Sequence, residues 1–282
     1  MRGEAADSLD QSAASRPPSS ALRLRILSAL VMAPLALAAV WFGSPYFPAL
    51  VALLAIGMGR EWARLAGGNT PPVSALVIAT PLAAIAAIFF GASVLAILLV
   101  LLGATLVGVV ARLTRAAAPL WLAGGTAWLA LPCVAILWVA AADGRNAILW
   151  LLALVWASDI GAYAAGRSFG GPRLAPLLSP NKTWAGAMGG AGCAALVGGG
   201  AALLFDGPIA ISMGMSLVLS VAAQVGDLME SLAKRKFGAK DSGALIPGHG
   251  GLLDRLDSLL TAAAVLGLLT LFGAAAPFVT HP

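Results

Sequence analysis

The sequence predicts an all-α protein, a polytopic transmembrane helical bundle of about nine spans. Three observations predict this fold. Of the 282 residues, 60% are apolar and 10% are charged, whereas a soluble domain of ordinary composition is about a quarter charged. The uncharged runs are long enough to cross a hydrocarbon core of about 30 Å, which takes about 20 helical residues. The basic residues also collect on one side of the resulting topology.

The chain begins with a polar segment. Residues 1–22 are rich in Ser, Pro, Ala and charged side chains, and we expect them to form a disordered cytoplasmic arm. The apolar run that follows is longer than the core of a signal peptide and lacks a cleavage site, so we expect a retained first span. We divide the remainder into N-terminal transmembrane helices at 23–145 and a C-terminal catalytic region at 146–282.

The uncharged runs define the spans in order. The two longest runs, 26–59 and 65–111, exceed one crossing, and each contains a turn signal, Gly43-Ser44-Pro45 and Gly91-Ala92-Ser93. The run that begins at Asn146 continues through Asp159 to Gly166 as one span with an acid near its end. The nine predicted spans are 26–43, 46–59, 73–90, 93–111, 120–141, 146–166, 184–205, 208–227 and 255–276.

The distribution of the basic residues between the two faces tests the count of nine spans. With sides alternating from the N-terminus, 16 of the 17 Lys and Arg residues fall on one face, and Arg145 alone falls on the other. Merging either long run into one span would scatter the basic loops over both faces. The positive-inside bias therefore supports nine spans and assigns the basic face to the cytoplasm.

A first polar connection follows the sixth span. Asp159, Tyr163 and Arg167 recur at intervals of four residues, so they line one helix face. An acid at the bilayer centre costs about 2.5–3.5 kcal/mol on insertion scales, so such an acid usually has a partner or a function. Asp159 therefore either belongs to a site or pairs with Arg167, or with another basic residue, to support packing.

The second connection, residues 224–257, is the densest in polar side chains. Gln224, Asp227, Ser231 and Lys234 share one helix face. A loop rich in small residues follows, and its backbone can approach a ligand closely. The remaining charged residues here include a basic cluster and two acids three residues apart, namely Arg235, Lys236, Lys240, Asp254 and Asp257.

Acids on two helix ends beside a basic, glycine-rich loop are typical of a site for a metal ion and a polyphosphate. Mg²⁺ takes carboxylate and phosphate oxygens, Lys and Arg offset the remaining phosphate charge, and backbone N–H groups bind anions. The alternative is a basic patch on anionic lipid headgroups. Such a patch would not require Asp227, Asp254 and Asp257 at the membrane edge.

These residues resemble the signature of the phosphatidate cytidylyltransferases, the CDP-diacylglycerol synthases. The similarity covers 27 residues that begin at Ser231 and end at Asp257, with Ala233 where a larger apolar residue is usual. A second stretch of the family pattern is similar to Asp159, Tyr163, Gly166, Arg167 and residues 179–184. The matching signature residues are Ser231, Lys234, Arg235, Lys240, Asp241, Ile246, Pro247, His249, Gly250, Gly251, Asp254, Arg255 and Asp257.

The resemblance implies transfer of CMP from CTP to phosphatidic acid, with formation of CDP-diacylglycerol and release of pyrophosphate. It implies a Mg²⁺-dependent enzyme with one or two metal ions, commonly a homodimer, with CTP, phosphatidic acid and the lipid bilayer as partners and no nucleic acid. We expect an integral protein of a bacterial inner membrane whose active site faces the cytoplasm.

The resemblance also suggests residue roles. We expect Asp227 and Asp254 to be the principal metal ligands, with Asp257 and Asp159 as second choices. The catalytic set further contains Lys234, Arg235, Lys240 and His249. The expected substrate-binding residues are Lys182, Ser231, Arg255, Arg167 and Tyr163.

Two other functions share some of these features. A CTP-dependent lipid-alcohol kinase would use the same membrane, metal and nucleotide but would leave CDP. An ion-coupled membrane transporter would carry polar groups near the bilayer midplane, whereas the acids here lie at one face.

Overall fold

The computed structural model describes residues 18–245 and 250–273, with side chains from residue 30 onward. Within these ranges the chain forms nine helices, and a two-stranded antiparallel sheet lies between the sixth and seventh. In chain order the elements are α1 (Pro18–Phe42), α2 (Tyr46–Leu65), α3 (Pro71–Phe89), α4 (Ser93–Leu113), α5 (Pro119–Ala142), α6 (Gly144–Phe169), β1 (Arg173–Ala175), β2 (Ser179–Thr183), α7 (Trp184–Leu204), α8 (Ile209–Lys236) and α9 (Leu253–Leu271).

The predicted all-α membrane fold is confirmed. Each predicted span overlaps one helix, and six helices, α3 to α8, are long and apolar enough to cross a membrane. The count of nine crossings and the division at residue 145 stay predictions. Residues 1–17 of the predicted arm lie outside the described residues, and α1 begins at Pro18, within the last residues of that arm.

Glycine and proline residues mark several of the helix boundaries. Gly43 and Gly91 adopt φ of 66° and 77° and close the turns after α1 and α3, where the turn signals predicted them. Pro71 and Pro119 open α3 and α5, where a missing N–H costs nothing. The helical hairpins of the N-terminal half are therefore set by local sequence.

One apolar core joins the two halves of the chain. Fully buried side chains from α2, α5, α6, α8 and α9 meet in it, among them Met58, Leu122, Ile148, Leu219 and Leu266. Apolar side chains also cover the outside of the helices, so that Phe90, for example, is 82% exposed. Apolar residues on both the inside and the outside are what a lipid environment accommodates.

Helices α6 and α7 pack along a seam of small residues. A Cβ atom at Gly161 would lie 2.9 Å from the carbonyl oxygen of Gly189, and one at Gly190 would lie 2.7 Å from that of Ser158. Larger residues would push these helices apart, because small residues are what allow two membrane helices to approach this closely. The seam fixes the polar end of α6 against the start of α7.

Polar side chains fix α8 against the same two helices. The hydroxyl groups of Ser158 and Ser220 lie 2.7 Å apart and join α6 to α8. The amide of Gln224 donates to the carbonyl oxygen of Ala187 on α7 at 3.2 Å. Helix α8 is 28 residues long, or about 42 Å, so it extends beyond a hydrocarbon core of about 30 Å.

The hairpin β1–β2 occupies a segment predicted as a loop. Its register pairs Arg173 with Thr183 and Ala175 with Ser179. Thr183 then caps α7, since its Oγ1 accepts a hydrogen bond from the Gly186 N–H at 3.1 Å. The hairpin thus holds Lys182 in a defined place beside the ends of α6 and α8.

Candidate active site

A cavity of about 910 Å³ lies at one end of the bundle, between α6, α8, α9 and the hairpin. Most of the predicted site residues line it. The predicted residues in its wall are Asp159, Tyr163, Arg167, Lys182, Asp227, Lys234, Asp254, Arg255 and Asp257. Residues from both predicted polar connections, about 70 positions apart in the chain, therefore contribute to one site.

Three carboxylates meet in the cavity. Asp227 and Glu230 lie three residues apart on α8, Asp257 lies on α9, and one oxygen of each lies within 4.8 Å of the others. Glu230 and Asp257 are 2% and 7% exposed. Three acids this close repel one another unless a cation or shared protons compensate them.

Glu230 strengthens the case for a cation. In the part of the chain that the structure describes, its Oε1 is buried and has no hydrogen-bond partner. A buried oxygen without a partner is costly, because it has lost its water. Hard carboxylate oxygens are the ligands of Mg²⁺ in proteins, so these three acids could hold a metal ion.

Asp254, predicted as a principal ligand, lies outside this cluster. Its Oδ2 accepts hydrogen bonds from the backbone N–H and hydroxyl of Ser242 and from the Gly251 N–H, each at 2.9 Å. Its Oδ1 accepts from the Lys234 ammonium at 2.6 Å. Both oxygens of Asp254 are occupied by protein donors in this structure, whereas Asp257 lies with Asp227 and Glu230. The ligand roles expected of these acids stay predictions.

Two lysines compensate the acids. Lys234 lies 2.6 Å from Glu230 Oε2 and 2.6 Å from Asp254 Oδ1, and thereby joins α8 to α9. Lys182, on β2, forms an ion pair with Asp227. Both lysines thus lie beside the acids, and their expected roles towards the substrate phosphates stay predictions.

The polar face of α6 lines the cavity opposite α8. Asp159, Tyr163 and Arg167 follow one another along it, as their spacing predicted. The ion pairs found among the described residues do not join Asp159 to Arg167. The pairing of Asp159 with Arg167 therefore has no support among these ion pairs, and the pairing with another basic residue stays a prediction.

Other predicted residues lie away from the cavity wall. The Arg235 Nε–H donates to the carbonyl oxygen of Leu178 at 3.4 Å and ties the hairpin turn to the end of α8. Ser231 and Lys240 are not among the described residues that line the cavity. His249 lies outside the described residues.

Two buried acids beside the site, Glu230 and Glu61, are absent from the residues predicted from the sequence. Glu230 stands immediately before the signature that begins at Ser231, and its spacing of three from Asp227 was the signal that could have identified it. Glu61, on α2, is 2% exposed, and its oxygens accept hydrogen bonds from the N–H groups of Leu252 and Leu253, each at 2.9 Å. A charged residue at the end of a predicted span was the one local sign of Glu61.

Comparison with known proteins shows which family this sequence resembles over most of its length. Residues 23–272 match the family model described as "Cytidylyltransferase family". The chain is 39% identical over 273 residues to the phosphatidate cytidylyltransferases of Brucella suis and Brucella melitensis, with 90% of this chain and 94% of each relative covered. A phosphatidate cytidylyltransferase of Staphylococcus aureus is 44% identical over 131 residues, which are 45% of this chain and 50% of that relative.

Proposed function

The chain belongs to the cytidylyltransferase family, and we propose that it transfers CMP from CTP to phosphatidic acid, giving CDP-diacylglycerol and pyrophosphate. The cluster of Asp227, Glu230 and Asp257 carries this proposal, because it lies among basic side chains in a large cavity at one end of apolar helices. The name that the relatives share supports the same activity.

The reaction requires little acid–base chemistry from the protein. An oxygen of the lipid phosphate forms a bond to the α-phosphorus of CTP. The bond from that phosphorus to the oxygen bridging to the β-phosphorus breaks, and pyrophosphate leaves with the electron pair. The lipid phosphate is already anionic near neutral pH, so the chain mainly positions two anions and offsets their charge.

Different side chains of the cavity are suited to bind phosphate groups and to hold the carboxylates. Arg167 and Arg255 line the wall and are suited to phosphate oxygens, because a guanidinium group donates two parallel hydrogen bonds. Lys182 and Lys234 hold the carboxylates in place through their ion pairs. Tyr163, exposed on α6, is placed to contact a substrate in the same cavity.

The acidic cluster is where we place Mg²⁺. Asp227, Glu230 and Asp257 would hold the ion through carboxylate oxygens, and the buried Oε1 of Glu230 fits this role. When bound, the ion supplies positive charge to the phosphate oxygens. Asp159, in the wall of the same cavity, is our candidate ligand for a second ion.

We place the cavity on the cytoplasmic face of a bacterial inner membrane. The bias of 16 basic residues to that face supports this orientation. CTP would then enter from the cytoplasm, and phosphatidic acid would present its phosphate at headgroup level. We also propose that the protein is a homodimer, as the resemblance implies.

The test is a defined mixture of the purified protein, Mg²⁺, phosphatidic acid and CTP labelled in the cytosine ring. The label should enter the lipid fraction, with one pyrophosphate released for each CMP transferred. With diacylglycerol or a polyprenol as acceptor, the label should stay in water. A label that stays in water with phosphatidic acid, together with CDP formation on a lipid alcohol, would favour the kinase.

A further inference from the structure

Glu61 is a buried acid that the proposed reaction does not use. We propose that Glu61 is a positioning residue for the active site, which fixes the start of α9 and thereby sets Asp257 against Asp227 and Glu230. The inference deepens the proposed function and rests on it for catalysis, whereas its effect on the loop and on metal binding is testable without any turnover.

Two hydrogen bonds join the Glu61 carboxylate to the start of α9. Glu61 Oε1 accepts from the Leu252 N–H and Oε2 from the Leu253 N–H, each at 2.9 Å. The first N–H groups of a helix have no partner within the helix, and the helix dipole favours an anion there. A side chain of α2 therefore caps α9 from about 190 residues away in the sequence.

The loop before α9 fits closely around the Glu61 carboxylate. A Cβ atom at Gly243 would lie 2.5 Å from Glu61 Oε1, and one at Gly251 would lie 2.9 Å from Oε2. Two glycines thus let the backbone close over the acid from two sides. The close contacts leave the Glu61 carboxylate little room to move, so its hydrogen bonds hold the loop in one position relative to α2.

A chain of contacts leads from Glu61 towards the cluster of Asp227, Glu230 and Asp257. The Ser242 hydroxyl lies 2.9 Å from Asp254 Oδ2 and 3.4 Å from Glu61 Oε2, so it stands between the two carboxylates. Asp257 follows Asp254 by three residues on α9, whereas its two partners in the cluster belong to α8. A shift of the start of α9 would therefore open the cluster, although Glu61 is not among the described residues of the cavity wall.

The test is Glu61→Gln in the full chain. Glutamine keeps the size of the side chain but turns an NH₂ group towards one of two N–H donors, so one hydrogen bond is lost. Hydrogen exchange of the peptide that contains Leu252 and Leu253 should speed up roughly tenfold or more. Affinity for Mn²⁺, measured by electron paramagnetic resonance without substrate, should fall about 10-fold, and CMP transfer about 10- to 100-fold.

Two further variants keep the test decisive. Asp206→Asn removes an exposed acid at the opposite end of α7 from the site and should change none of the three readouts. Gly243→Ala would push directly on Glu61, so it should reproduce the exchange and Mn²⁺ effects if Glu61→Gln does not fold.

Three results bear on the inference in different ways. Unchanged exchange at Leu252 and Leu253 would overturn it, and so would faster exchange with unchanged Mn²⁺ affinity. A wild-type protein that binds Mn²⁺ but transfers no CMP would instead contradict the proposed function. In that case the exchange and Mn²⁺ measurements would still decide the role of Glu61.

Discussion

Asp227 and Asp254 carry the same carboxylate in very different surroundings. Asp227 is partly exposed, and its ion-pair partner among the described residues is Lys182. Asp254 accepts three hydrogen bonds from the loop and one from Lys234. Asp254 thus has more protein partners than Asp227 among the described residues, and we expect their substitutions to have different consequences.

Replacing Asp227 should abolish turnover with little effect on stability. Asp227→Asn keeps the volume but removes the charge that would hold the metal ion, and we expect CMP transfer to fall about 10²–10³-fold. An exposed ion pair contributes about 0–1 kcal/mol, so thermal unfolding in detergent should change little. Near-normal transfer would remove Asp227 from the proposed ligands.

Replacing Asp254 should damage the fold of the loop as well. The amide of Asp254→Asn keeps only one acceptor oxygen. Its NH₂ group would therefore face either the donors of Ser242 and Gly251 or the Lys234 ammonium, and the charge that pairs with Lys234 would be lost. Removing one partner of a buried pair costs on the order of 3 kcal/mol, so we expect a lower melting temperature together with lost activity. A variant that melts like the wild type, with Asp206→Asn as the charge-matched control, would contradict the assigned role.

At the scale of elements, the hairpin β1–β2 places Lys182 beside Asp227 of the acidic cluster. Lys182→Met keeps the length of the side chain and removes the charge, so Asp227 would lose its partner. We expect CMP transfer to fall about 10- to 100-fold. The measurement is the rate of transfer in the same assay.

The matched control is Arg173→Met, on the other strand of the hairpin. It removes one positive charge from a residue that pairs with Thr183 in the ladder and is absent from the described cavity wall. Its transfer rate should stay within a factor of two or three of the wild type. Equal losses in both variants would indicate a general effect of charge on this surface.

The helices could be predicted from the sequence, and the hairpin could not. Apolar runs, glycine turns and the position of basic residues are local signals, and each predicted span overlaps a helix. The strands have three and five residues, too few to show alternation, and β2 contains Pro180. Proline within a short run argues against a strand, so the segment resembled a loop.

The site was predictable to the extent that its residues are close in the chain. The spacings of Asp159, Tyr163 and Arg167 placed them correctly on one face, and the signature identified Asp257 and Lys234. The contact of Glu61 with Leu252 spans 191 residues, and no local pattern encodes such a contact. The hydrogen bonds that Ser242 and Gly251 donate to Asp254 likewise depend on the conformation of the loop, which local sequence patterns do not specify.

At the scale of the whole molecule, the orientation in the membrane can be tested by labelling. In a chain with Cys133 and Cys193 replaced, one new cysteine would stand at Leu177, which is 92% exposed in the hairpin turn. The other would stand at Asn146, at the opposite end of α6. An impermeant thiol reagent should label the first from the cytoplasmic side and the second from the other side. Labelling of both from one side would refute the crossing by α6.

The cap that Glu61 provides also has a consequence for biogenesis. Its partner Leu252 is 191 residues further along the chain, and at about 5–20 residues per second the ribosome needs roughly 10–40 s to reach it. Throughout this interval α2 has been synthesised, but the two N–H groups that donate to Glu61 in the folded chain have not. The cluster of Asp227, Glu230 and Asp257 therefore cannot form before α9, which carries Asp257, has been synthesised.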